Sequence, residues 1–399
     1  MKYLLKLIFL YLGLNLSAQT VSINVDTLKN KISELAILEI ESSKAPSLQI
    51  AVSLKDSLIL NEGYGLADIE NNVPATIHTK YRTASVSKLW TASVAMVLVD
   101  KGALNLDLPI QEYCPNFPKK PFDITTRQLL THTSGIRSYM DLEEELKDAK
   151  TADDSLKIRN RYNKELLGEF TRYTEIGKVL DNFKNDSLIF KPGTNWHYSS
   201  QGYRVLACVL EGASGLTYQQ LTKQYIFEPT SMNSTFEDDS WEIIPHRASG
   251  YRIQRNKPIR RADMRDVSEN LPAGGHLTTA SDLILFANAF LNQHFFSSET
   301  IQLMSSTYLK GDENSNEKIP EWRFAIPNKE SYGYGVMIFP SEDTKRFGHT
   351  GRQAGGSAIL VLIPEKQLSI AILTNVKGWN GYMSFTKKIE EIIAKMLTQ

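Results

Sequence analysis

Apolar and polar positions recur along this chain with two different periods, and each period predicts one kind of element. Between residues 26 and 40, apolar side chains return every three or four positions, which predicts an amphipathic helix. Between 48 and 54, apolar and polar residues alternate as in a half-buried strand. Residues 55–57 are turn formers, so the strand is expected to continue as a hairpin into 58–60.

The most apolar stretch lies between residues 89 and 99, with the sequence LWTASVAMVLV. A helix that is apolar on every side belongs in the middle of a large core. The chain that follows carries more helical patterns separated by turn-rich segments. These further helices are predicted at about 124–131, 203–210, 216–227 and 281–291.

The pattern changes back to strands near the C-terminus. Strands are predicted at 334–339, 346–349, 357–363 and 368–374, followed by an amphipathic helix at 385–396. Strands at both ends with helices between them predict an α+β fold: one antiparallel sheet built from both termini and flanked by the terminal helices, with a large, mainly helical region on the other side. We expect the sheet part to span about 19–82 and 330–399, and the helical part about 83–329.

Residues 139–186 are dense in Asp, Glu and Lys with scattered apolar side chains. This composition predicts one or two solvated helices added to the surface. A charged surface insertion is the favoured interpretation, and a lid over a site is the alternative.

Residues 1–18 have the composition of a secretory signal peptide. Lys2 and Lys6 precede an apolar run, and small residues stand before Gln19. A membrane anchor is the alternative, but the run is short and Asn15 interrupts it. We therefore expect residues 19–399 to be exported, to the periplasm or beyond, with no transmembrane segment after signal removal.

Charge and cysteine content narrow the possible partners. The 399 residues contain 45 basic and 45 acidic side chains, which argues against a nucleic-acid or membrane-surface binder and favours a small-molecule or peptide substrate. The two cysteines, Cys114 and Cys208, are interpreted as unpaired and mostly buried, with a single bridge as the alternative. The oligomeric state is left open.

The start of the buried helix carries the first candidate chemistry. Ser85 and Lys88 are three residues apart and share one helical face, so a lysine amine can take the proton of a serine hydroxyl. The same Ser-x-x-Lys spacing recurs at Ser315/Lys318 in a polar loop and at Ser384/Lys387 in the last helix. Only the first copy opens a buried helix. The alternative interpretation of this first copy is that Ser85 only caps the helix and Lys88 extends to solvent.

Two other stretches can complete such a site. Tyr198-Ser199-Ser200 places a phenol at a loop-to-helix junction, and His349-Thr350-Gly351 lies on a predicted strand before the glycine-rich RQAGG. Considered alone, Tyr198 is better explained as a packed aromatic side chain, and His349 as a histidine whose hydrogen bonds are satisfied within a strand.

In this order, the three motifs resemble those of the serine β-lactamase-related family, which includes class C β-lactamases, D-amino-acid-specific peptidases and family VIII esterases. The resemblance runs from about residue 47 to the C-terminal helix. It includes LLTHTSGIRSY, PAGGHLTTASDL and FGHTGRQAGGSAILVLIPEKQLSIAILTN. FKNDSLIFKPG, YSSQGY and the charged insertion resemble the branch of the mitochondrial serine β-lactamase-like protein.

The resemblance implies an acyl-enzyme mechanism. Ser85 attacks a carbonyl, Lys88 helps to remove its proton, and Tyr198 exchanges protons with the nucleophile and the leaving group. The backbone N–H groups of Ser85 and Arg352 match the family's oxyanion hole. Substrate-binding roles are implied for Ser200, His349, Thr350 and Gly351.

Two departures from the family pattern bear on the substrate. Ser200 stands where an Asn usually binds the substrate amide, and His349 stands where a Lys often holds a substrate carboxylate. Both changes favour a peptidase or esterase over an efficient β-lactamase. A non-catalytic binding or assembly protein that keeps the pocket is the alternative. No cofactor is expected, and no metal, because the seven histidines are scattered and form no His-Glu-x-x-His motif.

Overall fold

The computed structural model describes residues 24–139, 141–168, 170–254, 257–308, 331–341 and 344–397. The predicted signal segment 1–18 and the Ser315/Lys318 motif lie outside these residues. The helices are α1 (Val25–Ser43), α2 (Ser87–Asp100), α3 (Thr126–Leu130), α4 (Leu142–Asp148), α5 (Ala152–Gly168), α6 (Ile176–Leu180), α7 (Ser200–Ser214), α8 (Tyr218–Thr222), α9 (Leu271–Gly274), α10 (Ala280–Leu291), α11 (Ser298–Met304) and α12 (Tyr382–Leu397). The strands are β1 (Ser47–Leu54), β2 (Ser57–Asp68), β3 (Val73–Pro74), β4 (Tyr81–Arg82), β5 (Phe236–Glu237), β6 (Tyr251–Arg252), β7 (Arg260–Arg261), β8 (His276–Thr278), β9 (Met337–Phe339), β10 (Arg346–Gln353), β11 (Gly356–Ile363), β12 (Leu368–Thr374) and β13 (Val376–Lys377).

The main sheet is antiparallel and is built from both ends of the chain. Its strands lie in the order β3-β2-β1-β12-β11-β10-β9. The N-terminal strand β1 pairs with the C-terminal strand β12, in a register that sets Ile50 opposite Ile372. Two small three-stranded sheets, β13-β6-β7 and β4-β8-β5, lie outside it. The predicted α+β fold with a sheet from both termini is confirmed.

Both faces of this sheet are covered by helices. In β11, Ile359 and Val361 belong to the same buried cluster as side chains of α1 and α12. Leu360 and Leu362, which alternate with them, belong to the cluster that contains α2 and α10. Because both faces are buried, the strand is an uninterrupted apolar run rather than an alternating one. The terminal helices on one face and the helical region on the other were therefore predicted correctly.

Turn residues fix the element boundaries. Lys55 and Asp56 both have positive φ, 50° and 62°, as expected for a tight hairpin turn between β1 and β2. The strand predicted from residue 334 begins only at Met337, because Gly335 adopts a φ of 73° that breaks the extended backbone. The helix predicted at 216–227 ends as a π-helical turn over Lys223–Phe227.

The prediction that the two cysteines are unpaired is wrong. Cys114 and Cys208 form a disulfide across a sequence separation of 94. The loop around Cys114 lies directly against α7, since a Cβ atom on Gly212 would overlap the carbonyl oxygen of Tyr113. This close approach brings the two thiols together, and nothing in their sequence spacing indicates it.

Removing this disulfide should destabilise the fold without changing any residue of the three predicted motifs. A bridge that closes a loop of this length typically contributes about 3–5 kcal/mol, chiefly by restricting the unfolded chain. The double variant Cys114→Ala/Cys208→Ala is expected to lose about that much free energy of unfolding in urea titrations. Dithiothreitol should lower the stability of the unmodified protein but leave that of the double variant unchanged; equal effects on both would contradict the prediction.

The charged insertion contains α4, α5 and α6 and lies at the surface, with exposed apolar side chains such as Leu167. Asp141, at the start of the insertion, forms a hydrogen bond of 2.8 Å with Nε2 of His197. His197 is next to Tyr198 in the sequence. Within the described ranges, no helix has the length and apolar character needed to cross a bilayer.

Candidate active site

Ser85 lies on a strained turn just before the central helix. Residues Ala84–Val86 form a 3₁₀ turn, and α2 begins at Ser87. Ala84 has a φ of 47°, a conformation that costs free energy for a residue with a side chain and tends to occur at functional sites. Ser85 is the only residue between Thr83 and Leu98 that is not fully buried. Its hydroxyl does not cap α2, so the capping alternative is excluded.

Lys88 is completely buried and does not reach solvent. Its Nζ lies 3.3 Å from Ser85 Oγ, 3.2 Å from Ser200 Oγ and 2.9 Å from the carbonyl oxygen of Ala273. A neutral amine has two N–H donors and one lone pair. If the donors bond to Ala273 and Ser200, the lone pair faces the hydroxyl of Ser85. This geometry suits an amine that accepts the serine proton.

The surroundings of Lys88 favour the neutral amine. Burial lowers its pKa well below the ordinary value, and the positive charge of Arg204 lowers it further. Among the described residues, no carboxylate forms an ion pair with Lys88. Arg204 is itself buried and forms an ion pair with Glu269, with Nη2 and Oε1 3.0 Å apart. The guanidinium is thus held in place while its charge acts on the amine.

Tyr198 enters the site from the loop that precedes α7. Ser199 caps this helix by accepting a hydrogen bond from the N–H of Gly202, which fixes the position of the neighbouring phenol. The Tyr198 phenol is a neighbour of the Ser85 side chain, and its ring centroid lies 4.9 Å from Lys88 Nζ. Burial raises the pKa of Tyr198, so the phenol keeps its proton at neutral pH.

His349 lies on β10 and has both ring nitrogens occupied. Nδ1 is 2.5 Å from the carbonyl oxygen of Thr350, and Nε2 is 3.0 Å from the hydroxyl of Tyr332. Donation by Nδ1 to the carbonyl leaves Nε2 to accept from the phenol. Burial lowers the pKa of His349 to about 3, so the imidazole is neutral. It offers no fixed charge to a substrate carboxylate.

The neighbours of His349 place the β10 backbone beside Ser85. A Cβ atom on Gly351 would lie 2.2 Å from the carbonyl oxygen of Thr83 and 3.1 Å from the backbone nitrogen of Ser85, so only glycine allows this approach. The backbone of Arg352 follows directly, while its side chain extends outward to Tyr382 and Asn380. The Thr350 hydroxyl is 3.4 Å from the sulfur of Met337.

The structure therefore brings Ser85, Lys88, Tyr198, Ser200, His349 and Gly351 together. The remaining Ser-x-x-Lys motif in the described chain, Ser384/Lys387, is exposed on α12 and has no such surroundings. In the part of the chain that the structure describes, no group of His, Cys, Asp and Glu is arranged to hold a metal ion.

Sequence reasoning missed three groups that shape this site: Arg204, Tyr332 and the carbonyl of Ala273. Arg204 had a usable signal, because it is the one charged residue inside the apolar run YRVLACVL. A buried charge in such a run needs an ion-pair or hydrogen-bond partner and often has a functional role. Tyr332 and Ala273 gave no comparable signal, since their roles arise from contacts between distant segments.

A buried lysine beside a serine, held between an antiparallel sheet and a helical region, is the arrangement of the β-lactamase-like serine hydrolases. The chain belongs to the Beta-lactamase family, whose model matches residues 32–394.

Individual relatives agree with this assignment. The serine β-lactamase-like protein LACTB, mitochondrial, of Mus musculus is 30% identical over 83% of this chain and 72% of its own length. The octameric penicillin-binding protein homologue from Pyrococcus abyssi has the same fold, with a TM-score of 0.73 at 24% identity, over 92% of this chain and 77% of that one. D-amino acid amidase from Ochrobactrum anthropi SV3 superposes with a TM-score of 0.72 at 20% identity, over 92% and 99% of the two chains.

Proposed function

We propose that this protein is an exported serine hydrolase that cleaves an amide or ester bond through an acyl-enzyme at Ser85. The observation that carries the proposal is the buried amine of Lys88, 3.3 Å from Ser85 Oγ and without an ion-pair partner among the described residues. Such an amine is a base rather than a structural cation. Membership in the family supports the same class of reaction.

In the proposed acylation, the Lys88 lone pair accepts the hydroxyl proton as Ser85 Oγ bonds to the substrate carbonyl carbon. The backbone N–H groups of Ser85 and Arg352 stabilise the resulting oxyanion. Tyr198 passes a proton to the leaving amine or alcohol as the scissile bond breaks. Lys88 returns the serine proton to Tyr198 as the leaving group departs, so both groups are again neutral. In deacylation, water adds to the acyl carbon and its proton passes through Tyr198 to Lys88, which delivers it to Ser85 Oγ as the bond between Oγ and the acyl carbon breaks.

The proposed substrates are peptides or esters rather than β-lactams. The neutral His349, bonded at both ring nitrogens, supports this choice, because a β-lactam carboxylate would lack the fixed charge that a lysine supplies. Ser200, which is shorter than Asn, accepts a hydrogen bond from Lys88 and is buried. The amidase from Ochrobactrum, a structural neighbour, acts on D-amino acid amides according to its name.

A substrate panel tests this proposal. Nitrocefin, short-chain esters and amides of D- and L-peptides should be compared under identical conditions, together with labelling by a fluorophosphonate and peptide mapping of the label. We expect turnover of an ester or peptide to exceed that of nitrocefin, with the label on Ser85. A label on another residue would remove the assignment.

A non-catalytic ligand-binding or assembly protein is the second candidate. The departures at Ser200 and His349 favour it, because both replace groups that the family uses on its substrates. Ligands that raise the melting temperature without any turnover across the panel would support this candidate over the hydrolase.

Tyr198→Phe tests the proton-transfer role directly. The variant keeps the ring that packs beside Lys88 but loses the hydroxyl that reaches Ser85. General acid–base catalysis typically contributes about 10²–10⁴ in rate, so kcat should fall by that range. Substrates with good leaving groups, such as nitrophenyl esters, should lose less than peptide amides, since they need less protonation. Equal losses on both would argue that the phenol only packs.

Export rests on residues 1–18 and is supported by the Cys114–Cys208 disulfide, because such bonds persist in oxidising compartments. LACTB is mitochondrial by name, so fractionation of the native host and sequencing of the mature N-terminus are the decisive measurements. A mature chain that begins at Gln19 outside the cytoplasmic fraction is expected. A full-length chain in the cytoplasm would refute export.

A further inference from the structure

His132 occupies a strained position just after α3. It follows Thr131, which ends the helix, and it has a φ of 60° at a place where a glycine commonly turns the chain. For a residue with a side chain this conformation costs free energy, and such strain tends to occur at functional sites. The motif that contains His132, LLTHTSG, has no role in the mechanism proposed above. The contacts of the His132 side chain explain why a histidine stands at this position.

His132 holds the backbone on both sides of Tyr198. Its carbonyl oxygen accepts a hydrogen bond from the backbone N–H of His197, with 2.9 Å between nitrogen and oxygen. Its ring nitrogen Nδ1 accepts a second hydrogen bond from the backbone N–H of Ser199 at 3.2 Å. His197 and Ser199 are the two residues that flank Tyr198 in the sequence. A single residue therefore restrains the chain both before and after the phenol.

The ring of His132 is itself held in place by aromatic neighbours. It is buried, and its centroid lies 4.4 Å from that of the Tyr198 ring and 4.6 Å from that of the Tyr332 ring. Tyr332 is fixed in turn by its hydrogen bond with His349. The ring of His132 thus packs against the phenol directly, while its Nδ1 holds the next residue of the chain.

The protonation state of His132 suits this contact. Burial lowers its pKa well below the ordinary value, so the imidazole is neutral at pH 7. A neutral imidazole that accepts at Nδ1 carries its proton on Nε2. This buried Nε2 has no hydrogen-bond partner among the described residues. Because a buried donor without a partner is unfavourable for folding, stability alone explains this histidine poorly.

We propose that His132 is a positioning residue, which holds the backbone on both sides of Tyr198 so that the phenol stays beside Ser85. This inference rests on the proposed function, in which the phenol transfers protons. Tyr198 lies in the loop before α7, so its position depends on such restraints rather than on a helix or strand of its own. A displacement of about 1 Å at a reacting group can lower the rate on the order of 10²-fold.

Two variants of His132 separate its hydrogen bond from its bulk. His132→Phe keeps a ring but removes the acceptor, so kcat on a peptide amide should fall about 10²-fold with little change in KM. A nitrophenyl ester, which needs less protonation of its leaving group, should lose less. His132→Asn should recover most of the loss, because its carboxamide oxygen can accept from Ser199 and asparagine tolerates a positive φ.

A double variant tests whether His132 acts through Tyr198. In the Tyr198→Phe background, His132→Phe should cause no further loss of kcat, because the hydroxyl that it positions is already absent. His276→Phe is the matched control. It replaces another fully buried histidine, whose Nδ1 contacts the hydroxyl of Ser87, and it should leave the ratio of amide to ester turnover unchanged.

Amide hydrogen exchange gives a measurement that needs no turnover. The segment 196–200 should exchange faster in His132→Phe than in the unmodified protein or in His132→Asn, because the N–H of Ser199 loses its acceptor. If His132→Phe does not fold, His132→Gly, which suits the positive φ, replaces it with the same expectations.

Three results would each overturn the proposal: equal losses on amide and ester, a further loss in the Tyr198→Phe background, or unchanged exchange of the segment 196–200. If the unmodified protein hydrolyses nothing, the proposed function fails, and the exchange measurement alone decides whether His132 holds this segment.

Discussion

Ser85→Ala should abolish turnover while leaving the fold intact. Removing the nucleophile of a serine hydrolase costs on the order of 10⁶ in kcat, and the residual rate comes from oxyanion stabilisation and binding. The hydroxyl is on a partly exposed turn and does not cap α2, so the melting temperature should change by no more than about 2 °C. Steady-state kinetics on the best substrate of the panel and a thermal scan are the measurements.

The chain contains its own control for this experiment. Ser384 and Lys387 have the same spacing as Ser85 and Lys88 but are exposed on α12. Ser384→Ala should therefore leave kcat and fluorophosphonate labelling unchanged. If Ser85→Ala retained the label or more than a few per cent of the rate, the nucleophile would have to be sought elsewhere.

The sheet and the central helix were predictable because their signals are local. An apolar run such as that of β11 can only be buried on both faces, and α2 is apolar on every side, so both had to lie at the centre. The hairpin between β1 and β2 followed from its turn residues. Each of these elements carries its own evidence in a few consecutive positions.

The surroundings of the site could not be predicted in the same way. The hydrogen bond from Lys88 to the carbonyl of Ala273 joins segments that are more than a hundred residues apart in sequence. The hydrogen bond between Tyr332 and His349 depends on a turn beside β9. The disulfide was missed for the same reason. Sequence motifs indicate the residues that we propose carry the chemistry, and the three-dimensional contacts bear on their protonation.

Lys88→Met should be as damaging to catalysis as the loss of Ser85. When a base and a nucleophile act as one unit, the effects of removing them are strongly non-additive. Each single variant therefore loses about as much activity as the double variant. We expect kcat to fall on the order of 10⁶-fold, and the double variant Ser85→Ala/Lys88→Met to be no slower than either one. A double variant with roughly the product of both losses would mean that Lys88 acts independently of Ser85.

The same variant reports the protonation of the amine through stability. Burial and Arg204 lower the pKa of Lys88 in the native protein. Between that pKa and the unfolded value of about 10.4, this lysine holds a proton in the unfolded chain but not in the native one. Unfolding then takes up a proton, so the stability of the unmodified protein rises with pH by at most about 1.4 kcal/mol per unit from this group. Lys88→Met lacks this contribution to the pH dependence. The variant also loses the hydrogen bond to the carbonyl of Ala273, and that loss is the same at every pH. The free energy of unfolding of the unmodified protein minus that of the variant, from urea titrations between pH 6 and 9, should therefore increase with pH. A constant difference would show that the native amine stays protonated and is not the base.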